Sequence, residues 1–310
     1  MKTIELHRVL VLLATYNGES WLREQLDSIL SQEDVELQIL IGDDVSKDGT
    51  RELLHDGWRD DPRVKVCAWS KGSGSAGANF RRLYVHADLI GFDFVALADQ
   101  DDIWMPRKLI SAVESLNKTG AQGYSCAVQA FWPDGRVKVL NQNPSTREAD
   151  FLFEGAGQGC TFVVRRPLFE RVQQFCNENP TTTEALHYHD WLVYLLVRAW
   201  ELPWYFDAHP WMRYRQHGSN EIGARGSLQA ILHRLGMLKS GWYTAQVKAA
   251  SNLYRLANGA NITALSLSKL MDSRPSLRRS TLLSFKLLRY SRRRLIDRGV
   301  LAVIALMGWL

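Results

Sequence analysis

The sequence predicts an α/β fold, a doubly wound and mostly parallel sheet with a helical C-terminal extension. Three observations predict it. Strand-like apolar runs alternate with amphipathic helical segments over the first 120 residues, the pattern of a parallel sheet covered on both faces. Several of those runs break off in polar or acidic residues, where strands deliver side chains to the carboxyl edge of a sheet. From Ser227 on, the periodicity is helical only, in three helices broken near Gly259 and Pro275.

The first strand is Val9–Ala14, a continuous apolar run that ends in Thr15-Tyr16-Asn17-Gly18. A helix follows with Leu22, Leu26, Ile29 and Leu30 on one face. Val35, Leu37, Ile39 and Ile41 alternate as a second strand, which ends in Gly42-Asp43-Asp44, and the loop 45–49 leads to a short helix from Thr50. Val64–Trp69 is the third strand. The glycine-rich stretch Ser70–Phe80 lets backbone N–H groups approach phosphate or base, although flexible loops look the same. It is not a Walker loop, because no Gly-Lys-Ser/Thr follows. No glycine-rich turn follows the first strand, so a dinucleotide fingerprint is also excluded.

The fourth strand carries the strongest chemical signal. Phe94–Ala98 ends abruptly in Asp99-Gln100-Asp101-Asp102-Ile103-Trp104, and a helix over 106–117 leaves with Pro106 in its first turn. Carboxylates this close repel one another and ask for a cation between them. Oxygen ligands at this density suit Mg²⁺ or Mn²⁺, an ion that also grips a diphosphate. The same residues also fit a helix start with Asp102 as N-cap. Thr15–Asn17, Asp43-Asp44 and Asp99–Asp102 sit on three separate strands, yet all fall at one edge of the sheet.

After residue 120 the pattern changes. Tyr124–Trp132 and Val137–Leu140 flank Pro133-Asp134-Gly135-Arg136, a hairpin signal. Residues 141–158 are polar and Gly-rich and read as a mobile loop, and 159–164 reads as another strand. Glu184–Trp200 is helical, headed by His187, His189 and Asp190. Pro203–Ala208 and Trp211–Tyr214 are short strands, and residues 214–220 close the sheet.

With 310 residues, 46% of them hydrophobic, the chain can bury a sizeable core. Its eleven tryptophans and ten tyrosines suit sugar sites or membrane interfaces as well as core packing. Cys67, Cys126, Cys160 and Cys176 lack metal-ligand spacing, which fits a reducing compartment. Residues 1–8 contain no signal-peptide apolar core, and no apolar run reaches the roughly 18–20 residues of a spanning helix, so a cytoplasmic location is expected. Between Arg274 and Arg298 nine Lys/Arg face Asp297 alone, an excess greater than the whole chain's +5. The basicity thus belongs to the tail, and nothing in it calls for nucleic acid.

The ordered motifs Ala14-Thr15-Tyr16-Asn17-Gly18, Asp43-Asp44 with Ser46, Asp48 and Gly49, Asn79-Phe80, Asp99–Trp104, Gly159-Cys160-Thr161, His189-Asp190-Trp191 and Tyr214–Asn220 resemble those of family 2 glycosyltransferases. The likeness covers roughly residues 8–225 and is nearest to the bacterial rhamnosyltransferases. Val45 stands where glycine is common, and Leu192 where a second tryptophan is frequent. The resemblance implies the GT-A fold. It implies a catalytic domain over 1–225, with a nucleotide-binding half (1–120) and an acceptor half (121–225), and a helical basic extension over 226–310.

It also implies roles. Thr15, Tyr16, Asn17, Glu19, Asp43, Asn79, Asp99 and Gln100 would bind the nucleotide-sugar, with Asp43 accepting from the base N3–H and Asp99 meeting the ribose. Asp43 is equally suited to capping the loop 43–49. Asp101 would hold Mg²⁺ or Mn²⁺, with His217 completing the metal shell or bonding a phosphate, while Asp102 reads as a helix cap rather than a ligand. Asp190 would be the general base of an inverting transfer, or else the cap of its helix. His187 and His189 read as acceptor-side or structural. The donor would be a dTDP- or UDP-sugar, with rhamnose favoured, and the acceptor a saccharide or a lipid-linked saccharide of cell-surface polysaccharide synthesis.

The basic, amphipathic tail suits peripheral contact with the inner face of the membrane, and it equally suits packing on the core or in a homo-oligomer. Two other functions remain to be weighed. A sugar-phosphate nucleotidylyltransferase would need a basic Gly-rich loop after the first strand. A non-catalytic carbohydrate-binding or scaffold subunit would have lost the carboxylates that are present here.

Overall fold

The computed structural model describes residues 6–67, 69–141, 146–217 and 240–310. Gly218, Ser219 and Asn220, the expected domain boundary at 225/226 and the start of the helical stretch at Ser227 lie outside the described residues. The chain forms two compact units, one of Met1–Gln142, Gly157–Pro180 and Pro203–His217, the other of Asn143–Ala156, Thr181–Leu202 and Gly218–Leu310.

The first unit is built on one sheet. Its strands are β1 (His7–Thr15), β2 (Val35–Asp43), β3 (Val64–Cys67), β4 (Phe94–Ala98), β5 (Ile103–Trp104), β6 (Gly123–Phe131), β7 (Val137–Leu140), β8 (Val163–Arg165) and β9 (Trp204–Arg215). They lie in the order β3-β2-β1-β4-β8-β6-β9-β5, with β7 on β6 as the expected hairpin. β3, β2, β1 and β4 are parallel, and in register Thr15 lies opposite Asp43, so the ends of β1 and β2 reach the carboxyl edge together.

β1 is buried from Val9 to Thr15, as its continuous apolar run requires. On one face Val9, Val11 and Leu13 share a core with α1 (Leu22–Leu30), α2 (Thr50–Trp58) and α4 (Lys108–Thr119). On the other face lies α3 (Ala76–His86), whose Tyr84 meets Phe169 of α5 (Arg166–Glu178) edge-on at 5.1 Å between centroids. The sheet is thus covered by helices on both sides, the GT-A arrangement of a mixed sheet.

Beyond β4 the sheet changes sense. β8 inserts between β4 and β6, antiparallel to both. The expected strand over 159–164 begins instead as a 3-10 turn, Gly159–Thr161, and only Val163–Arg165 pair. The two short strands expected after residue 203 are one, β9, which passes its irregularity opposite Cys126–Gln129 and stays paired to β6. α4 starts at Lys108, two residues after Pro106.

The second unit holds α7 (His189–Ala199), α8 (Trp242–Leu256), α9 (Ile262–Asp272), α10 (Leu277–Tyr290) and α11 (Leu295–Leu306); α6 (Pro180–Glu184) spans the junction in sequence. Among the described residues, four helices after residue 240 stand where three were expected from Ser227 on. The supposed mobile loop is, from Ala149 to Phe153, a buried segment. Its hub is Asp150, fully buried, which accepts from Arg198 Nη1 at 2.9 Å, Arg293 Nη1 at 3.3 Å and the Tyr194 hydroxyl at 3.1 Å. Burial pushes the Asp150 carboxyl above its ordinary range, while the two guanidinium groups pull it back. No helix among the described residues is long and apolar enough to cross a membrane.

Candidate active site

The polar ends of the parallel strands are tied to one another at the carboxyl edge. Gln100, in the loop after β4, accepts from Thr15 Oγ1 at 2.6 Å and from Tyr16 N at 2.8 Å, and its Nε2 donates to Tyr16 O at 3.1 Å. One amide thus braces the loops after β1 and β4, and the Tyr16 ring stays 47% exposed, available for stacking. Asn17 N donates to Ser46 Oγ at 2.9 Å, and Lys47 N donates to Asn17 Oδ1 at 2.8 Å. Glu19 accepts from Gly49 N at 3.0 Å. The residues after β1 therefore hold the loop after β2 as much as they offer surface to a ligand.

The loop after β2 carries its own strain. Val45 adopts φ 65°, a left-handed conformation that costs a β-branched residue most, which accounts for the glycine that the resemblance led us to expect there. Asp43 is 3% exposed, receives Ser46 N at 3.2 Å and its hydroxyl, and pairs with Arg51 Nε at 2.7 Å. A cleft of about 470 Å³ opens beside it, lined by Arg51, Leu54, Trp58, Val66 and Trp69 among others.

Asp44, which drew no role from its position in the sequence, organises the glycine-rich stretch. It accepts from Ser73 N at 2.5 Å and Gly74 N at 3.0 Å, so those amides are engaged by a carboxylate of the chain itself. Asn79 is 2% exposed and donates to the Gly42 carbonyl at 2.6 Å. Among the residues expected to bind the donor, Asn79 is thus the one whose side chain ties α3 to β2.

The acidic loop after β4 meets the end of β9. His217 Nε2 lies 2.7 Å from Asp101 Oδ2, and the imidazole stacks on Trp21 with centroids 4.1 Å apart and planes 10° from parallel. Arg215 donates from its main chain to Asp102 Oδ1 at 3.2 Å and from Nε to the Asp101 carbonyl at 2.9 Å, and its guanidinium pairs with Glu24 of α1. The two residues picked out for a metal, Asp101 and His217, are thus brought together from 116 positions apart. Of the residues around them, Arg215 belongs to the motif Tyr214–Asn220, whereas Trp21 and Glu24 had no signal beyond their residue type.

Asp102 does not cap a helix. It is fully buried, five residues before the N-cap Arg107, and its neighbours are Arg215 and the Cys160 thiol. Burial first, then the charges of Asp101 and Asp99, push its carboxyl well above the ordinary range. Three carboxylates thus converge on one loop, an arrangement that a divalent cation would stabilise. Ligand atoms of Asp99, Asp102 and Cys160 lie within 4.8 Å of one another. Burial holds the Cys160 thiol far above its ordinary value, so it is a neutral and soft group, poorly suited to a hard ion. Asp101 and His217, a carboxylate and an imidazole 2.7 Å apart, are the better suited pair for a hard or borderline ion.

Asp190 belongs to the second unit, in the first turn of α7, and is half-buried. Its Oδ1 accepts from Trp191 N at 2.7 Å, so part of its carboxylate serves the helix end. The start of α7 is firmly placed. Trp191 Nε1 donates to the Phe151 carbonyl at 2.7 Å, and a Cβ on Gly155 would lie 3.3 Å from Trp191 Cα. His187 N donates to Gln246 Oε1 at 2.7 Å, while the His187 ring lies edge-on to Tyr188 and Trp242. His189 is buried. These contacts make His187 and His189 part of the support of Asp190's helix.

Comparison with known proteins gives the family and the fold. Residues 10–173 match the model of glycosyl transferase family 2. The chain is 36% identical over 241 residues to a dTDP-rhamnosyl transferase of Shigella flexneri, RfbG, covering 77% of this chain and 83% of the relative. It is 25% identical over 198 residues to the Escherichia coli UDP-Glc:alpha-D-GlcNAc-diphosphoundecaprenol beta-1,3-glucosyltransferase WfgD, covering 61% of this chain and 69% of that one. In fold it is similar to a mannosyltransferase from Pyrobaculum calidifontis solved with GDP-Man and Mn²⁺. There the TM-score is 0.53 at 16% identity, over 97% of this chain and 86% of the other.

Proposed function

The chain belongs to glycosyl transferase family 2, and from that premise we propose that it is an inverting, metal-assisted rhamnosyltransferase taking a dTDP- or UDP-sugar. The observation that carries the reading is the meeting of Asp101 and His217 at the edge where the loops after β1, β2 and β4 converge. The similarity to a dTDP-rhamnosyl transferase favours rhamnose, and thymidine or uridine diphosphate as its carrier. The nucleotidylyltransferase reading falls with the family assignment.

Asp101 and His217 would hold Mg²⁺ or Mn²⁺, and Asp99 would meet the ribose. Such an ion, when bound, stabilises the negative charge that gathers on a leaving diphosphate. The chain's own residues supply the rest. Trp21 and Arg215 fix the donor set, so it need not reorganise as charge develops. Tyr16 offers a ring face to the base, and Asp43 offers an acceptor to its N3–H, provided the Arg51 contact leaves a lone pair available. Asp190 takes the proton of the attacking acceptor hydroxyl, and one base acting opposite one leaving group gives single displacement with inversion.

The acceptor in this reading is a saccharide on a lipid diphosphate in cell-surface polysaccharide synthesis, the class that the WfgD relative's name states for that enzyme. Such an acceptor places the protein in the cytoplasm, peripheral to the inner face of the membrane. The test is a thermal-shift series with dTDP-rhamnose, UDP-glucose and GDP-mannose, each with Mn²⁺ and with chelator, followed by product analysis on a lipid-linked saccharide. A donor that binds only the folded state raises the melting point by mass action. Stabilisation by dTDP-rhamnose that depends on Mn²⁺, and a product of inverted configuration, are expected. Donor binding without transfer to any acceptor would leave a binding subunit instead.

A further inference from the structure

The C-terminal hairpin of α10 and α11 presents a surface that the transfer reaction does not use. α11 carries apolar residues on both its inward and its outward face. Leu301, Ala302, Ile304 and Ala305 are buried inward, while Leu295, Ile296, Val300, Val303, Leu306 and Met307 are 46–80% exposed. Their spacing puts those six on one helical face. The only charged residues of the helix turn away from that face: Asp297 lies 3.7 Å from Arg292, and Arg298 donates to the Leu288 carbonyl at 3.0 Å. An exposed apolar face this continuous marks a contact surface.

α10 adds a mixed face. Leu277 is 81% exposed and Phe285 63%, and they alternate with the exposed Arg278 and Arg289. Three other basic residues of the tail are used internally. Arg279 donates to the main-chain oxygens of Leu270, Met271 and Leu310, Arg293 serves Asp150 and Gly155, and Arg292 serves Glu154. What remains outward is an apolar face flanked by arginines, and Asp297 is the only acidic residue between Ser273 and Leu310.

We propose that this hairpin is the protein's foot on an anionic lipid leaflet, with the α11 face entering the acyl boundary and Arg278 and Arg289 meeting headgroup phosphates. The proposal rests on the lipid-linked-acceptor reading for its purpose, though not for its geometry. Interfacial helices have this build, an apolar face at the acyl boundary and cations at headgroup level. Trp309, 41% exposed just beyond α11, suits the same interface. A second copy of the chain fits worse. A two-fold contact pairs the same patch with itself, and here it would set arginines against arginines with no exposed carboxylate to receive them.

The experiment is flotation of the full chain with phosphatidylcholine vesicles and with vesicles enriched in phosphatidylglycerol, at low and high salt. Flotation is paired with light scattering and with Mn²⁺/donor thermal shift. Stronger co-flotation with the anionic vesicles than with phosphatidylcholine alone, weakened but not abolished by salt, is expected. Val303→Glu, at a position already 55% exposed, should abolish it. The pair Arg278→Glu and Arg289→Glu should lower vesicle affinity about tenfold or more, by roughly the loss of two headgroup contacts. Both variants should keep the donor-dependent thermal shift, so loss of the foot is separable from loss of donor binding. Indifference of the intact protein to anionic vesicles would overturn the proposal. So would flotation unchanged by Val303→Glu, or a dimer that Val303→Glu dissociates in a protein that ignores lipid.

Discussion

Replacing Lys108 by methionine should stabilise the metal-free protein at neutral pH by about 1–2 kcal/mol, and the gain should vanish in alkali. Lys108 opens α4 directly behind the acidic loop. It is fully buried, and its Nζ has no hydrogen-bond partner among the described residues. Burial pulls its ammonium from the usual 10.5 down to about 8, against the attraction of Cys126, Cys160 and Asp102. That drop disfavours the charged form by roughly 3 kcal/mol below pH 8. The Trp104 ring lies under Nζ at 3.5 Å from its centroid and returns about 1–2 kcal/mol, as a desolvated cation–π pair does. Asp102 returns little, because its own carboxyl is pushed toward the neutral form.

Methionine keeps the length and sheds the charge. Between about pH 8 and 10.5 the unfolded chain binds a proton that the native lysine has lost. Wild-type stability therefore rises with pH across that window, and the advantage of the variant shrinks to nothing above it. Urea denaturation at several pH values, in the presence of chelator, measures the gap. A variant less stable than wild type at pH 7 would refute the reasoning, as would a gap that does not narrow with pH. Either would mean that the ammonium is repaid as one member of an ion pair with the acidic loop.

Three further outcomes follow from the site. Asp101→Ala should remove Mn²⁺-dependent donor binding and transfer while the far-UV spectrum stays close to wild type, because the residue sits in a loop outside the helices and strands, although loss of its bond to His217 lowers the urea midpoint somewhat; near-normal transfer by the folded variant would take Asp101 out of the mechanism. Asp190→Asn should leave donor affinity nearly intact and lower turnover on the order of a hundredfold, since the amide still accepts from Trp191 N but takes no proton. A parallel fall in donor affinity and turnover would make it a binding residue. Val45→Gly should raise stability by about 1 kcal/mol by relieving the left-handed backbone of a β-branched residue, read as an upward shift of the urea midpoint, and an unchanged or lower midpoint would mean that no strain is stored there.

Local pattern revealed the parallel half of this fold. β1 and β4 are apolar runs, β2 alternates, and their ends coincide with the polar motifs because burial stops where the strand does. The antiparallel half was less legible. β8 is three residues long, too short to carry a period, and its place between β4 and β6 depends on pairing with strands far away in sequence. The same limit applies within the site. Asp101, His217 and Gln100 were marked by motif, but Trp21 and Glu24 act only through partners that no local pattern reveals, and the motif that marked Asp44 gave no hint of its bonds to Ser73 and Gly74. Asn79 shows the opposite case, a motif residue whose amide is spent on the Gly42 carbonyl.

Charge counting misjudged the tail in an instructive way. The excess of Lys/Arg between Arg274 and Arg298 pointed to an electrostatic contact with an anionic surface. Much of that charge is turned inward. Arg293 is 4% exposed and joins Arg198 on the buried Asp150, a residue whose neighbourhood looked like a mobile polar loop because its partners lie 48 and 143 positions away. A buried carboxylate between two guanidinium groups is poor evidence for stability in itself, since each group pays for its lost hydration. Its effect is to fix register: the segment 146–156 and the turn before α11 have one low-energy way to meet. With those arginines committed, the outward surface of α11 is left almost purely apolar. The weight of any contact made there moves from charge to buried area, and salt should weaken such a contact without eliminating it.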